Sequence, residues 1–186
     1  MDKIRIGVVV GSARKDSYSR KIAALVCARM PGAFEMRTMD IGTLPMYNQD
    51  YDDEGRTPAE WSAFREAVKS LDGVLLVTPE YNRSFPPLLK NALDIASRPY
   101  GQNAWNGKPG AIISVSPGKM GAFGANHHLR QTVVFLNIPL MQQPEAYIGE
   151  AASLFDERGA LKNEGTGKFL ADYAAAFAAW VEKIRG

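Results

Sequence analysis

Apolar residues in this chain fall into short unbroken runs separated by longer stretches of helical period. The first run, Ile4-Arg5-Ile6-Gly7-Val8-Val9-Val10, is almost wholly Val and Ile, as expected of a strand covered on both faces. A helix is expected over 17–30, closed by Pro31-Gly32, and a second strand over 34–40. The stretch Leu44 to Pro58 is rich in Pro, Asn, Asp and Gly and has no helical period, so it reads as a long loop; such loops often carry function. A helix follows over 59–70, with Thr57-Pro58 as cap and first turn, then a third strand, Gly73 to Thr78. Further on come a helix over 86–97, a strand over 110–116, a helix over 125–136 and a fifth strand over 138–142. In the tail, 166–184, Phe169, Tyr173, Phe177, Trp180, Val181 and Ile184 recur at helical spacing, a core-facing stripe.

Strands alternating with helices argue for βαβ units and a parallel sheet. Five strands and five helices, without internal repeat or linker, predict an α/β fold in one domain over residues 1–186. The expected architecture is a flavodoxin-like doubly wound five-stranded parallel sheet, order 2-1-3-4-5, with helices on both faces. Ligands of such sheets lie outside the carboxyl ends of the strands, where strand order reverses. The loops after the first, third and fourth strands are therefore the ones to inspect.

Composition removes several alternatives. The 22 basic and 20 acidic residues leave a net charge of +2 with no basic run, which argues against nucleic acid. No apolar run approaches the roughly 20 residues of a membrane helix, and the N-terminus has no signal-peptide form. A cytoplasmic protein without a membrane partner is expected. Cys27 is the sole cysteine and lies in the apolar stretch 24–28, which reads as packing rather than a reactive thiol.

The first loop, Gly11-Ser12-Ala13-Arg14-Lys15-Asp16-Ser17-Tyr18-Ser19-Arg20, runs from a buried strand into a helix. Main-chain N–H groups at a helix N-terminus, the hydroxyls of Ser12, Ser17 and Ser19, and the Arg14 guanidinium are the donors a phosphate needs. Neither Gly-x-Gly-x-x-Gly nor a Walker ending is present, which weighs against a dinucleotide fold and an NTPase. The same residues would also serve as ordinary helix caps. The second loop, Thr78-Pro79-Glu80-Tyr81-Asn82-Arg83-Ser84-Phe85-Pro86-Pro87, holds its backbone stiff between prolines, suited to aiming amides at a flat ring such as a flavin; a rigid turn without ligand is the plain alternative. The third, Ser116-Pro117-Gly118-Lys119-Met120-Gly121, carries two glycines that permit close approach of a ligand, or simply a turn.

At these three segments the sequence resembles the NADPH-dependent FMN reductase family, and within it the bacterial quinone and chromate reductases. The most specific stretch is Thr78-Pro79-Glu80-Tyr81-Asn82-Arg83-Ser84 with Pro86-Pro87-Leu88-Leu89-Lys90-Asn91-Ala92-Leu93-Asp94; Gly11-Ser12-Ala13-Arg14 with Ser17 and Ser19 supports it. The resemblance implies that Ser12, Arg14, Ser17 and Ser19, with Arg20 as a weaker member, hold the FMN phosphate. It implies that Pro79, Glu80, Tyr81, Asn82 and Arg83 line the isoalloxazine through backbone amides, and that Ser116 and Gly118 approach its other edge. The positions Lys119, Gly121, Asn126, His127 and His128 carry over poorly. Adjacent histidines on a helix diverge, so His127 and His128 are not expected to be metal ligands.

The activity implied is ping-pong oxidoreduction at one flavin, with NADPH or NADH as hydride donor and a small quinone-like (or flavin, azo, chromate) molecule as acceptor. No side-chain acid, nucleophile or metal is required, because the cofactor carries the chemistry. The alternative is a flavodoxin-type electron carrier; such carriers are strongly acidic, whereas this chain has a pI near 8.6 and Arg14 in its phosphate loop. Members of the family form dimers or tetramers, so a homodimer or homotetramer is expected. Tyr100, Trp105 and the segment Tyr47 to Tyr51 would offer aromatic surface near the ligand edge.

Overall fold

The computed structural model describes residues 2–186. Strands β1 (Ile4–Val10), β2 (Phe34–Thr38), β3 (Gly73–Thr78), β4 (Gly110–Val115) and β5 (Ala146–Ile148) form one parallel sheet in the order β2-β1-β3-β4-β5. The helices are α1 (Tyr18–Cys27), α2 (Gln49–Asp53), α3 (Ala59–Lys69), α4 (Pro87–Ala96), α5 (Phe123–Phe135) and α6 (Glu164–Arg185), with a 3₁₀ turn at Ala151–Leu154.

Successive side chains of a strand point to opposite faces, so each apolar run serves two cores. Ile6, Val8 and Val10 of β1 join Leu75, Val77, Ile113 and Val115 against α1 and α6. Val9, Val74, Leu76 and Ile112 meet α3, α4 and α5 on the other side. A fully buried aliphatic side chain contributes roughly 1.5–3 kcal/mol and a helix cap only about 1. The apolar runs therefore decide where the central strands lie, and β1, β3 and β4 fall where the pattern places them.

The fifth strand does not lie at 138–142. Leu140 makes one parallel bridge to Gly110, with Gly110 N–H on the Pro139 carbonyl at 2.9 Å and Met141 N–H on the Gly110 carbonyl at 2.8 Å. Pro139 has no N–H to continue that ladder. Regular pairing begins only at Ala146, opposite Ile113 of β4. A three-residue strand leaves almost no periodic signal, which is why the longer apolar run 138–142 drew the assignment.

Segment 44–58 also differs from expectation, because it contains the five-residue α2 and is pinned to the body of the protein, raising the α-helices among the described residues to six. Asn48 caps α2 through its side chain. Asp52 accepts from both Arg65 terminal nitrogens at 2.8 and 2.7 Å and from the Thr57 hydroxyl at 2.8 Å. Trp61 Nε1 donates to the Pro45 carbonyl at 2.9 Å, while Tyr47 and Tyr51 pack on the Trp61 ring. Trp105 is not surface either: it is fully buried, its Nε1 donating to the Leu93 carbonyl at 3.1 Å. Tyr100, by contrast, is 88% exposed.

Candidate active site

The parallel order brings the loops after β1, β3 and β4 to one edge of the sheet. Between them lies a cleft of about 220 Å³ lined by Ser12, Arg14, Ser17, Tyr18, Ser19, Pro79, Glu80, Tyr81, Val115, Ser116 and Pro117.

The floor is hydroxyl-rich. Ser12, Ser17 and Ser19 are each buried. Ser17 caps α1, its Oγ accepting from Arg20 N–H at 3.3 Å, and Ser12 Oγ accepts from Arg14 N–H at 3.4 Å. A hydroxyl that accepts from the loop keeps its own O–H to donate outward. The α1 N-terminus adds main-chain N–H groups and the positive end of the helix dipole, and the Arg14 side chain stands exposed at the rim. Gly11 lets this loop pass close to α4: a Cβ there would touch Leu89 and Pro79 at 3.4 Å. Donors without a competing carboxylate at the floor suit a phosphomonoester, so the residues present fit the phosphate end of FMN.

The opposite wall is a tight hairpin. Tyr81 N–H donates to the Ser84 carbonyl at 2.8 Å, and Ser84 N–H returns to the Tyr81 carbonyl at 3.0 Å. Asn82 and Arg83 at its tip have φ of 52° and 69°, as in a type I′ turn. Asparagine tolerates that region; for arginine it costs about 1–2 kcal/mol. The tip amides are left out of the hairpin ladder. Tyr81, 46% exposed, turns its ring outward. The Glu80 carboxylate points away, accepting from Ala125 N–H at 2.9 Å.

The third loop is held from below. Gly118 N–H donates to Ser116 Oγ at 3.0 Å, and the Gly118 carbonyl accepts from Glu150 N–H at 3.2 Å. Gly121 has φ 58°, and a Cβ there would lie 2.6 Å from the Tyr147 carbonyl carbon. Its glycine serves packing against β5 rather than approach to a ligand.

Of the residues singled out in sequence, Ser12, Arg14, Ser17, Ser19, Pro79, Glu80, Tyr81 and Ser116 share the cleft. Asn82, Arg83 and Gly118 stand outside its lining, at loop tips. Arg20 turns to the other side of the phosphate loop, where its Nε donates to the Ser12 carbonyl at 3.1 Å and braces that loop. Tyr18, Val115 and Pro117 also line the cleft; each borders a residue already singled out, and adjacency in the loop was the available signal.

The family profile of the NADPH-dependent FMN reductases matches residues 4–153, a span that contains all three loops. The chain belongs to the NADPH-dependent FMN reductase family. A quinone reductase of Pseudomonas putida is 54% identical to this FMN reductase family member over 180 residues, covering 97% of this chain and 96% of its relative. A 2-hydroxy-1,4-benzoquinone reductase of a Burkholderia species is 47% identical, covering 98% of each. The solved structure of FerB, a flavoenzyme NAD(P)H:acceptor oxidoreductase from Paracoccus denitrificans, superposes with a TM-score of 0.89 at 40% identity, covering 97% of this chain and 98% of that one.

Other features of this family member lie outside the cleft. A larger cavity of about 650 Å³, alongside α1, is lined by Val8, Val10, Met36, Met39 and Leu88 together with Arg20, Ala23, Ala24 and Cys27 of that helix. It sits beside β2 rather than at the switch point and has no hydroxyl cluster. Burial pushes the Cys27 thiol up, away from thiolate character. The two histidines diverge: His127 Nε2 meets the Tyr147 hydroxyl at 3.0 Å, and His128 Nδ1 meets the Ser84 hydroxyl at 2.8 Å. Burial, and after it the Glu145 carboxylate, hold the Tyr147 phenol above its ordinary range.

Proposed function

We propose that this chain is an FMN-dependent NAD(P)H:quinone oxidoreductase whose flavin sits in the cleft at the ends of β1, β3 and β4. The observation that carries this reading is the convergence, at the switch point, of three buried serines and Arg14 opposite a stiff hairpin. Ser12, Arg14, Ser17 and Ser19 hold the phosphate, with Arg20 bracing their loop. Pro79, Glu80, Tyr81, Asn82 and Arg83 present backbone to one edge of the ring, and Ser116 with Gly118 faces the other. The bound flavin supplies hydride acceptance from NADPH or NADH and electron delivery to a quinone. The side chains bind and orient; none is assigned a proton-transfer role. Relatives named as quinone reductases favour this reading over a flavodoxin-type carrier.

The active form we propose is a homodimer or homotetramer in the cytoplasm. Phe123, His127, Gln131 and Val134 recur on the exposed side of α5, with Val134 73% and the neighbouring Phe135 81% exposed. The exposed apolar residues of this helix, Phe123, Val134 and Phe135, suit an association surface. Among the described residues no helix is long and apolar enough to cross a membrane.

The test is spectroscopic. The purified protein with FMN, held anaerobic, is mixed with NADPH and separately with NADH, followed by benzoquinone. Loss of the oxidised flavin band with a nicotinamide and its return with quinone are expected. A band that stays unchanged with both nicotinamides contradicts the reading.

A further inference from the structure

The cleft's hairpin wall is anchored by side chains to a helix that lines no part of the cleft. Helix α5 starts without a side-chain cap of its own, because its N-cap residue is Ala122 in the left-handed region at φ 60°. Glu80, from the β3–α4 loop, supplies what is missing: its Oε2 accepts from the Ala125 N–H, one of the amides a helix leaves unpaired. A carboxylate there also meets the positive end of the helix dipole. The Glu80 side chain is only 18% exposed, so solvent screens this contact little.

Two further contacts fasten the same pieces. A Cβ on Gly124 would lie 3.0 Å from Glu80 Oε2 and 3.1 Å from the Arg83 carbonyl oxygen, so the hairpin backbone rests directly on the first turn of α5. One turn on, His128 Nδ1 meets the Ser84 hydroxyl. The segment held in this way is the strained one, with Asn82 and Arg83 both at positive φ. Strained backbone persists only where its surroundings over-determine it. The Arg83–Glu80 ion pair, at 3.8 Å on an 85% exposed arginine, is too weak to do this.

We propose that Glu80, with Ser84 in support, is a positioning residue that locks the Tyr81–Ser84 hairpin onto α5 and so pre-forms the ring side of the flavin site. This rests on the flavin reading of the cleft. The Glu80 carboxylate does not itself face the ring; it acts through the backbone it holds. Losing the lock leaves the phosphate floor intact, because Ser12, Arg14, Ser17 and Ser19 belong to a different loop.

The experiment measures dissociation constants of FMN and of riboflavin, by quenching of flavin fluorescence, for the parent, Glu80→Ala, Glu80→Gln and Ser84→Ala. Glu80→Ala is expected to weaken both flavins by a similar factor of about 10, that of one lost charge-assisted hydrogen bond. Glu80→Gln keeps an oxygen that accepts from Ala125 N–H and is expected to stay within about threefold of the parent. Parent-like binding of both flavins by Glu80→Ala overturns the proposal, as does a loss confined to FMN or a Gln variant as impaired as the Ala variant. If Glu80→Ala does not fold, Ser84→Ala decides: a loss of about threefold for both flavins supports the lock, and no loss overturns it. A parent protein that binds no flavin refutes the function reading itself, a separate outcome.

Discussion

Segment 44–58 and the turn 79–86 both set tyrosine, asparagine and acidic residues between prolines, yet they are fastened to the protein in different ways. In 44–58 the anchoring groups turn inward, while Asn48, Gln49, Asp50, Asp53, Glu54 and Arg56 stay at the surface. Asp52, 4% exposed, is gripped by Arg65, and the Pro45 carbonyl takes the Trp61 indole N–H. In 79–86 the tip turns outward, with two left-handed residues and an exposed tyrosine held only at the base. The first loop is structural because its anchoring hydrogen bonds, to Arg65, Trp61 and Asn91, end inside the protein; the second leaves main-chain donors for something else. The residue types they share do not reveal this difference.

The largest expected effect breaks the inward loop. Asp52→Ala strands the buried Arg65 guanidinium and should cost about 3 kcal/mol of unfolding free energy, while folded protein keeps its flavin affinity. Urea melts beside an FMN titration check this; a loss of FMN affinity comparable to the loss of stability would place 44–58 in the site. The pH dependence follows from the same pair. The Arg65 hydrogen bonds hold the Asp52 carboxyl below its ordinary range. Its stabilisation is therefore complete above the unfolded value of about 4 and drains away as pH falls through the lowered folded value. Acid melts of the parent should steepen there relative to Asp52→Ala.

Helix–strand alternation was readable because β1, β3 and β4 are buried on both faces, and continuous apolar runs follow from that. β5 was missed because three residues beside Pro144 carry no period. The cleft was readable through Ser12, Arg14, Ser17, Ser19, Pro79, Tyr81 and Ser116, which fall in three short loops, each directly following a buried strand. The reach of Glu80 to Ala125, 45 positions away, has no local signature. Neither has the burial of Trp105, whose partner is the Leu93 carbonyl on another element.

A smaller effect tests the third loop, which belongs with the inward kind. Gly121→Ala combines positive φ with a Cβ 2.6 Å from the Tyr147 backbone, and should destabilise by about 2 kcal/mol. Chemical denaturation reads it; a neutral result would free that glycine for a ligand-facing role. The smallest effect has the opposite sign. Arg83→Gly relieves left-handed strain at an exposed tip and should stabilise the flavin-free protein by about 0.5–1 kcal/mol. A loss of stability would mean that the Arg83 side chain, not the turn geometry, holds the hairpin.

The central claim is that the floor of the cleft grips a phosphomonoester while its wall meets the ring. Arg14→Ala, titrated with FMN and with riboflavin, tests it most directly. The account predicts that FMN weakens about 10- to 100-fold while riboflavin, lacking the phosphate, stays within about twofold of the parent. FMN held as tightly as by the parent, or both flavins weakened alike, would contradict it.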